Sequence, residues 1–174
     1  PADGVLLARK GQLSDLVRRL YAADGREDFS LSATLYCFDD AAFDRYVHSL
    51  GADPQEYRDP DNPRMILVNY GSAYFDGKRT AGEIFSIKPG DTLSFSPDPP
   101  SGEVEEKGVE LEAGLLTDRR PMGVLISPLD SVSMVVSRQV FDALPDSLKS
   151  VDSRGNPSFQ KLYITGGEDE ELET

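Results

Sequence analysis

The chain has 174 residues, enough to bury roughly 70% of the surface exposed on unfolding, so it can hold one real core or two small lobes. Apolar residues at 39% and charged residues at 28% describe a soluble globular domain rather than a disordered tail, and no apolar run approaches the ~20 residues that span a bilayer. A formal charge of −13 argues against nucleic acid, which needs a basic surface to displace counterions, and against an anionic membrane face.

Taken in chain order, Gly4 to Ala8 reads as a short strand. Leu13, Leu16, Val17, Leu20 and Tyr21 then recur at helical spacing, with Arg18 and Arg19 on the other face and Gly25 placed to end the helix. From Leu31 the pattern alternates: Leu31, Ala33, Leu35 and Cys37 face one way, Ser32, Thr34, Tyr36 and Phe38 the other. Asp39 and Asp40 stand where a helix start needs acceptors for its unpaired N–H groups. Phe43, Val47 and Leu50 form the apolar stripe of that helix, and Gly51 terminates it. Asp53-Pro54 restarts a short helix with Asp as cap and Pro in its first position. The Asp59-Pro60-Asp61-Asn62-Pro63 turn precedes an apolar strand, Met65 to Val68.

The middle of the chain changes to short strands. Asp76-Gly77 is a hairpin turn. Glu83 to Ile87 and Thr92 to Ser96 read as strands around Lys88-Pro89-Gly90-Asp91, which fits a type II turn. After a loop from Pro97 to Gly102, Val109, Leu111, Ala113 and Leu115 alternate with Glu110, Glu112 and Gly114 as a half-exposed strand, and Met122 to Ile126 reads as another. Ser133 to Val136 is a strand and Ser137 a cap; Val140, Phe141 and Leu144 carry a buried helix face that Pro145 stops. Phe159 to Thr165 alternates as a last strand, and Glu168 to Glu173 resembles an acid-rich first helical turn.

Two segments share a plan of strand, polar cap and helix with Phe followed by Asp: Tyr36 to Asp44, and Val135 to Asp142. The expectation is an α+β fold with two lobes. Residues 1–62 and 128–174 would form a porter-like β–α–β lobe, and 63–127 a β-rich inserted lobe.

The chemical inventory is sparse. His48 is the only histidine and Cys37 the only cysteine, which leaves no disulfide framework and too few ligands for zinc. His48 neighbours the apolar Val47 on a helix, and Cys37 shares a strand face with Leu35, so both read as structural. Asp59, Asp61 and Asn62 form a small oxygen-rich cluster without the closing Glu and central Gly of a calcium loop, the composition of an ordinary turn. Glu110 and Glu112 share a strand face, and an enzyme working through carboxylates alone would have to use such a pair; a solvated face is the plainer reading. Gly166-Gly167 lacks the surrounding pattern of a phosphate loop. No catalytic, cofactor-binding or metal-ligating residue is assigned, no cofactor is expected, and the expectation is a protein that is not an enzyme.

The run LYCFDDAAFDRYVHSLGADPQEYRDPDNPRMILVN, followed by KPGDTLSF and SVSMVVSRQVFDALP, resembles the extracytoplasmic domain of MacB/FtsX-type ABC-transporter permeases of Gram-positive bacteria. The resemblance lies in a helix followed by a G-x-D-P-x-x-Y turn (Gly51 to Tyr57), an apolar strand ending in Asn69, a Gly90-Asp91 strand start and a V-S-x-x-x-F unit (Val136, Ser137, Phe141). It implies a non-catalytic domain on the extracellular face of the cell membrane, set between transmembrane helices of the same permease. A cytoplasmic ABC ATPase would drive it, and its partner would be a peptide, a lipid or a cell-wall protein. Pro1 in place of a Met and the acidic run at the other end fit an excised piece of such a protein. The rival expectation is a secreted or surface-anchored binding or adhesion module.

Overall fold

Alternation in the sequence becomes a barrel in three dimensions. The structure is a computed structural model and describes residues 2–21, 27–97, 108–124 and 127–149. Its strands are β1 (Ala2–Arg9), β2 (Asp28–Cys37), β3 (Arg64–Val68), β4 (Gly71–Phe75), β5 (Lys78–Gly82), β6 (Thr92–Pro97), β7 (Val109–Thr117), β8 (Ser127–Pro128) and β9 (Ser131–Val136). The helices are α1 (Asp15–Tyr21), α2 (Asp40–Ser49) and α3 (Arg138–Ala143), with single 3₁₀ turns at Lys10–Gln12, Pro54–Tyr57 and Asp146–Leu148. The chain is thus α+β, as expected, and strand-rich.

Six strands close into a barrel in the order β1-β2-β9-β3-β7-β6, with β6 returning to pair with β1. The pairs β2/β9 and β3/β7 are parallel and the other four antiparallel. A separate sheet runs β5-β4-β8. Residues 63–127 contribute β3, β6 and β7 to the same barrel that β1, β2 and β9 complete, so this stretch and its flanks share one core.

That core explains the two kinds of strand pattern. On β2, Leu31, Ala33 and Leu35 are buried while Ser30 and Ser32 are exposed. By contrast β3 and β9 read as near-continuous apolar runs because both of their faces are covered. Met65, Leu67, Val132, Met134 and Val136 belong to the main core with Leu6, Leu93 and Leu111. Ile66 and Val135 face outward into a second cluster with Phe43, Val47 and Tyr57, supplied by α2 and the Pro54–Tyr57 turn.

The expected caps and turns form. Asp39 accepts from the Ala42 N–H at 2.8 Å and Ser137 from the Val140 N–H at 3.3 Å, each with an extended backbone entering the helix. Gly51 takes a φ of 78° just past α2. Asp76 and Gly77 both have positive φ, at 49° and 74°, which the β4–β5 hairpin turn requires.

Three expectations need correction. Glu83 to Ile87 is not a strand; its single β-bridge joins Phe85 to Leu13. Two backbone bonds flank that bridge, from the Ser14 N–H to the Ile84 carbonyl at 2.9 Å and from the Ser86 N–H to the Gln12 carbonyl at 2.8 Å. The buried Asn69 side chain adds to them, accepting from the N–H groups of Ile84 and Phe85 at 3.1 and 2.7 Å and donating to the Phe85 carbonyl at 3.0 Å. Met122 does not begin a strand. Pro121 and Gly123 make a turn closed by the Val124 N–H on the Pro121 carbonyl, and Met122 is 75% exposed at its tip. Finally, the alternation of β7 breaks at Gly114, where a bulge shifts the register against β3. Leu111 and Ala113 face the main core, but beyond the bulge Leu116 takes that side and Leu115 turns to the α2 cluster. Gly25, residues 98–102, Leu125 and Ile126, and everything from residue 150, including the Phe159 to Thr165 strand and Glu168 to Glu173, lie outside the described residues.

Candidate functional site

Three of the motifs that carry the family resemblance, the turn ending at Tyr57, Gly90-Asp91 and the unit holding Ser137, are linked to one another around β7. Parallel pairing of β2 with β9 sets Tyr36 opposite Val135 and Cys37 opposite Val136, so both strands deliver their helix caps at the same barrel end. Ser137 is fully buried there, and its Oγ donates to the Tyr57 carbonyl at 2.7 Å while accepting from its own helix. The Tyr57 ring lies over Gly114: a Cβ at that position would stand 2.8 Å from Tyr57 Cε1. Next to it Gly90 donates to the Ala113 carbonyl at 2.9 Å and Ala113 donates to the Asp91 carbonyl at 2.8 Å. Three stretches far apart in sequence therefore interlock around β7.

The two β–α units share cap and strand geometry but not helix packing. Phe43 of α2 sits in the outer cluster, whereas Val140 and Leu144 around α3 belong to the main barrel core and Phe141 is half-buried against it. The likeness between them is local, confined to strand end and cap.

The single residues examined for chemistry scatter. His48 is exposed in the last turn of α2. Cys37 is partly buried, and burial pushes its thiol up to about 11, so it is protonated near neutrality. Asp59 is held below the usual carboxylate range by the Asn62 side-chain amide at 2.8 Å and the Asp61 N–H at 3.0 Å, the hydrogen bonds of an Asx turn. Glu110 is exposed, while Glu112 is tied to Arg64 through Nη2 at 2.8 Å and Nε at 2.9 Å, so the two acids do not converge. Glu112 leads the interactions that raise the Arg64 pKa above its ordinary value. Among the described residues no three His, Cys, Asp or Glu side chains come together as a metal site, and no helix is long and apolar enough to cross a membrane. Gly166-Gly167 lies outside the described residues.

A groove of about 550 Å³ opens at the C-terminal end of α2, between that helix and residues 118–124. Tyr46 and Ser49 line one side, Arg119, Arg120 and Val124 the other. The Tyr46 hydroxyl donates to the Arg119 carbonyl at 2.7 Å, and burial pushes its phenol above the ordinary value. Arg119 Nη1 donates to the Ser49 carbonyl at 3.0 Å, and Arg120 Nη1 to the Val124 carbonyl at 3.1 Å. Reading the sequence for catalytic motifs passes over these residues; the available signal is two adjacent arginines before a proline in an acidic chain.

No protein-family model, curated protein or solved structure matches this chain.

Proposed function

We propose that this chain is a non-catalytic extracellular domain of an FtsX-like ABC-transporter permease, passing ATP-driven movement of membrane helices to a substrate or partner outside the cell. The observation that carries this reading is the Ser137–Tyr57 bond at 2.7 Å, because it joins two of the stretches on which the family resemblance rests, with Gly114 packed against the same tyrosine. Residues that read separately as caps and turns act together as one fastening, which suits a body that must move rigidly when pushed from one end. In this reading the β–α units and the strands of 63–127 move together as one barrel, and the partner is a peptide, a lipid or a cell-wall protein.

The test uses the full-length gene product. Transmembrane segments are expected on both sides of this region, with the protein fractionating to the membrane and co-purifying with an ABC ATPase. Soluble flanking sequence on both sides overturns the proposal. The open groove beside Arg119 and Arg120 favours a second reading, a secreted or surface-anchored binding module; a single lipid or wall anchor in the parent protein, in place of several membrane helices, decides for it.

A further inference from the structure

We propose that the groove between α2 and residues 118–124 docks a short acidic peptide. The chain has 31 acidic and 18 basic residues. Arg18, Arg58 and Arg64 hold carboxylate partners. Arg119 and Arg120 have none among the described residues, and what sets them apart from the other arginines without one is that both line a single groove. Each is anchored through one Nη1 to a backbone carbonyl, Ser49 at 3.0 Å and Val124 at 3.1 Å. A carbonyl fixes the position of a guanidinium without cancelling its charge, and a fixed guanidinium loses less entropy on meeting a carboxylate. Satisfying the last carbonyls of α2 accounts for Arg119 alone. Arg120 binds within its own loop and does nothing for the helix.

The surroundings favour a peptide over a bare anion. Arg45 is exposed on α2, four residues before the groove-lining Ser49 and so on the same helical face. Pro121 and Val124 line the groove beside the two arginines and offer an apolar side chain a contact that a phosphate would leave unused. The volume of about 550 Å³ suits a few residues rather than a folded domain. The overall charge of −13 repels polyanions at long range, so a short segment with few carboxylates and an apolar residue is the better fit. Among the described residues the one acid lining the groove is Asp118, against two arginines. This inference stands on the groove alone and survives failure of the permease reading.

The test is fluorescence anisotropy of a labelled tetrapeptide of alternating glutamate and leucine, titrated with the protein. Saturable binding is expected, weakened about tenfold by Arg120→Ala, the loss of one charge-assisted contact. Arg79→Ala, on the β4–β5 hairpin outside the groove, is expected to leave it unchanged. Because Arg119 also holds the end of α2, Arg119→Lys is read beside a melting curve, and it retains folding while losing affinity. A peptide with glutamine in place of glutamate is expected not to bind. Absence of saturable binding overturns the proposal, as does equal weakening by Arg79→Ala, equal binding of the glutamine peptide, or full displacement of the peptide by an equal concentration of inorganic phosphate.

Discussion

Ser137 and Tyr57, 80 residues apart in the chain, share a buried hydrogen bond of 2.7 Å from the Ser137 hydroxyl to the Tyr57 carbonyl. The same oxygen caps α3 by accepting from the Val140 N–H, so one side chain both starts a helix and fastens a distant turn. A hydroxyl side chain can do both, because it donates once and accepts as well.

Ser137→Ala removes the cap and leaves the Tyr57 carbonyl without this donor. The expected loss is about 2–3 kcal/mol, the sum of a helix cap and a buried unsatisfied group. Asp39→Ala removes an exposed cap only and is expected to cost about 1 kcal/mol. Urea denaturation of both variants checks the difference; equal losses would show that the bond to Tyr57 adds nothing.

Glycines at close approaches rank by what a methyl group would meet. At Gly4 a Cβ would stand 2.2 Å from the Ser96 carbonyl oxygen, which is backbone of the paired strand β6. At Gly114 it would stand 2.8 Å from the ring of the buried Tyr57, and at Gly11 nothing lies within 4 Å. Gly4→Ala is expected to cost about 3 kcal/mol or more and Gly114→Ala about 1–3 kcal/mol, because overpacking must move backbone in the first and a ring in the second. Gly11→Ala is expected to be neutral or to stabilise by about 0.5 kcal/mol, through the unfolded chain. Melting temperatures of the three variants test the order.

Asn69 holds the 84–85 segment by two accepted hydrogen bonds and one donated bond. Asn69→Leu is expected to lose about 2–4 kcal/mol, since it strands buried peptide groups as well as removing their partner. Asn69→Asp keeps the acceptor but cannot donate to Phe85 when ionised, so its stability is expected to fall as pH rises through the carboxyl titration. Amide hydrogen exchange at Ile84 and Phe85 gives the local readout; unchanged protection in Asn69→Leu would refute the latch.

Cys37 should be a slow thiol. Burial raises its pKa from 9.0 to about 11, which lowers the thiolate fraction at pH 8 roughly a hundredfold relative to an exposed cysteine. Alkylation by iodoacetamide is expected to be slow in the native protein and fast in urea. Since the unfolded chain releases this proton first, the contribution to stability is fully present below about pH 9 and is lost as pH rises from there toward 11. Native-state alkylation at the rate of a free thiol would contradict this.

Local features were legible wherever their cause is local. Asp39, Asp53 and Ser137 are caps because a short acceptor stands directly before a helical start, and Asp76-Gly77 turns because both residues tolerate positive φ. Phe43 and Val47 were identifiable as buried from helical spacing, and Leu31, Ala33 and Leu35 from alternation. Glu83 to Ile87 was misread because its apolar residues suit a strand, while its partners are distant: the Asn69 side chain, 15 and 16 residues earlier, and the backbone of Gln12 and Ser14. The groove was missed for a similar reason: Arg119 gains its place from Ser49, 70 residues away, and nothing in its own neighbourhood announces that.

By itself, then, the sequence determined the α+β class, the caps, the turns and which faces of α2 and β2 are apolar, because these follow from interactions spanning only a few residues. Tertiary structure alone decided that six strands close on themselves, that β3 and β9 are covered on both faces, that β7 bulges at Gly114 and that Ser137 finds Tyr57. Those outcomes depend on which surfaces meet when the barrel shuts. Apolar burial rewards many pairings almost equally, and only closure selects among them.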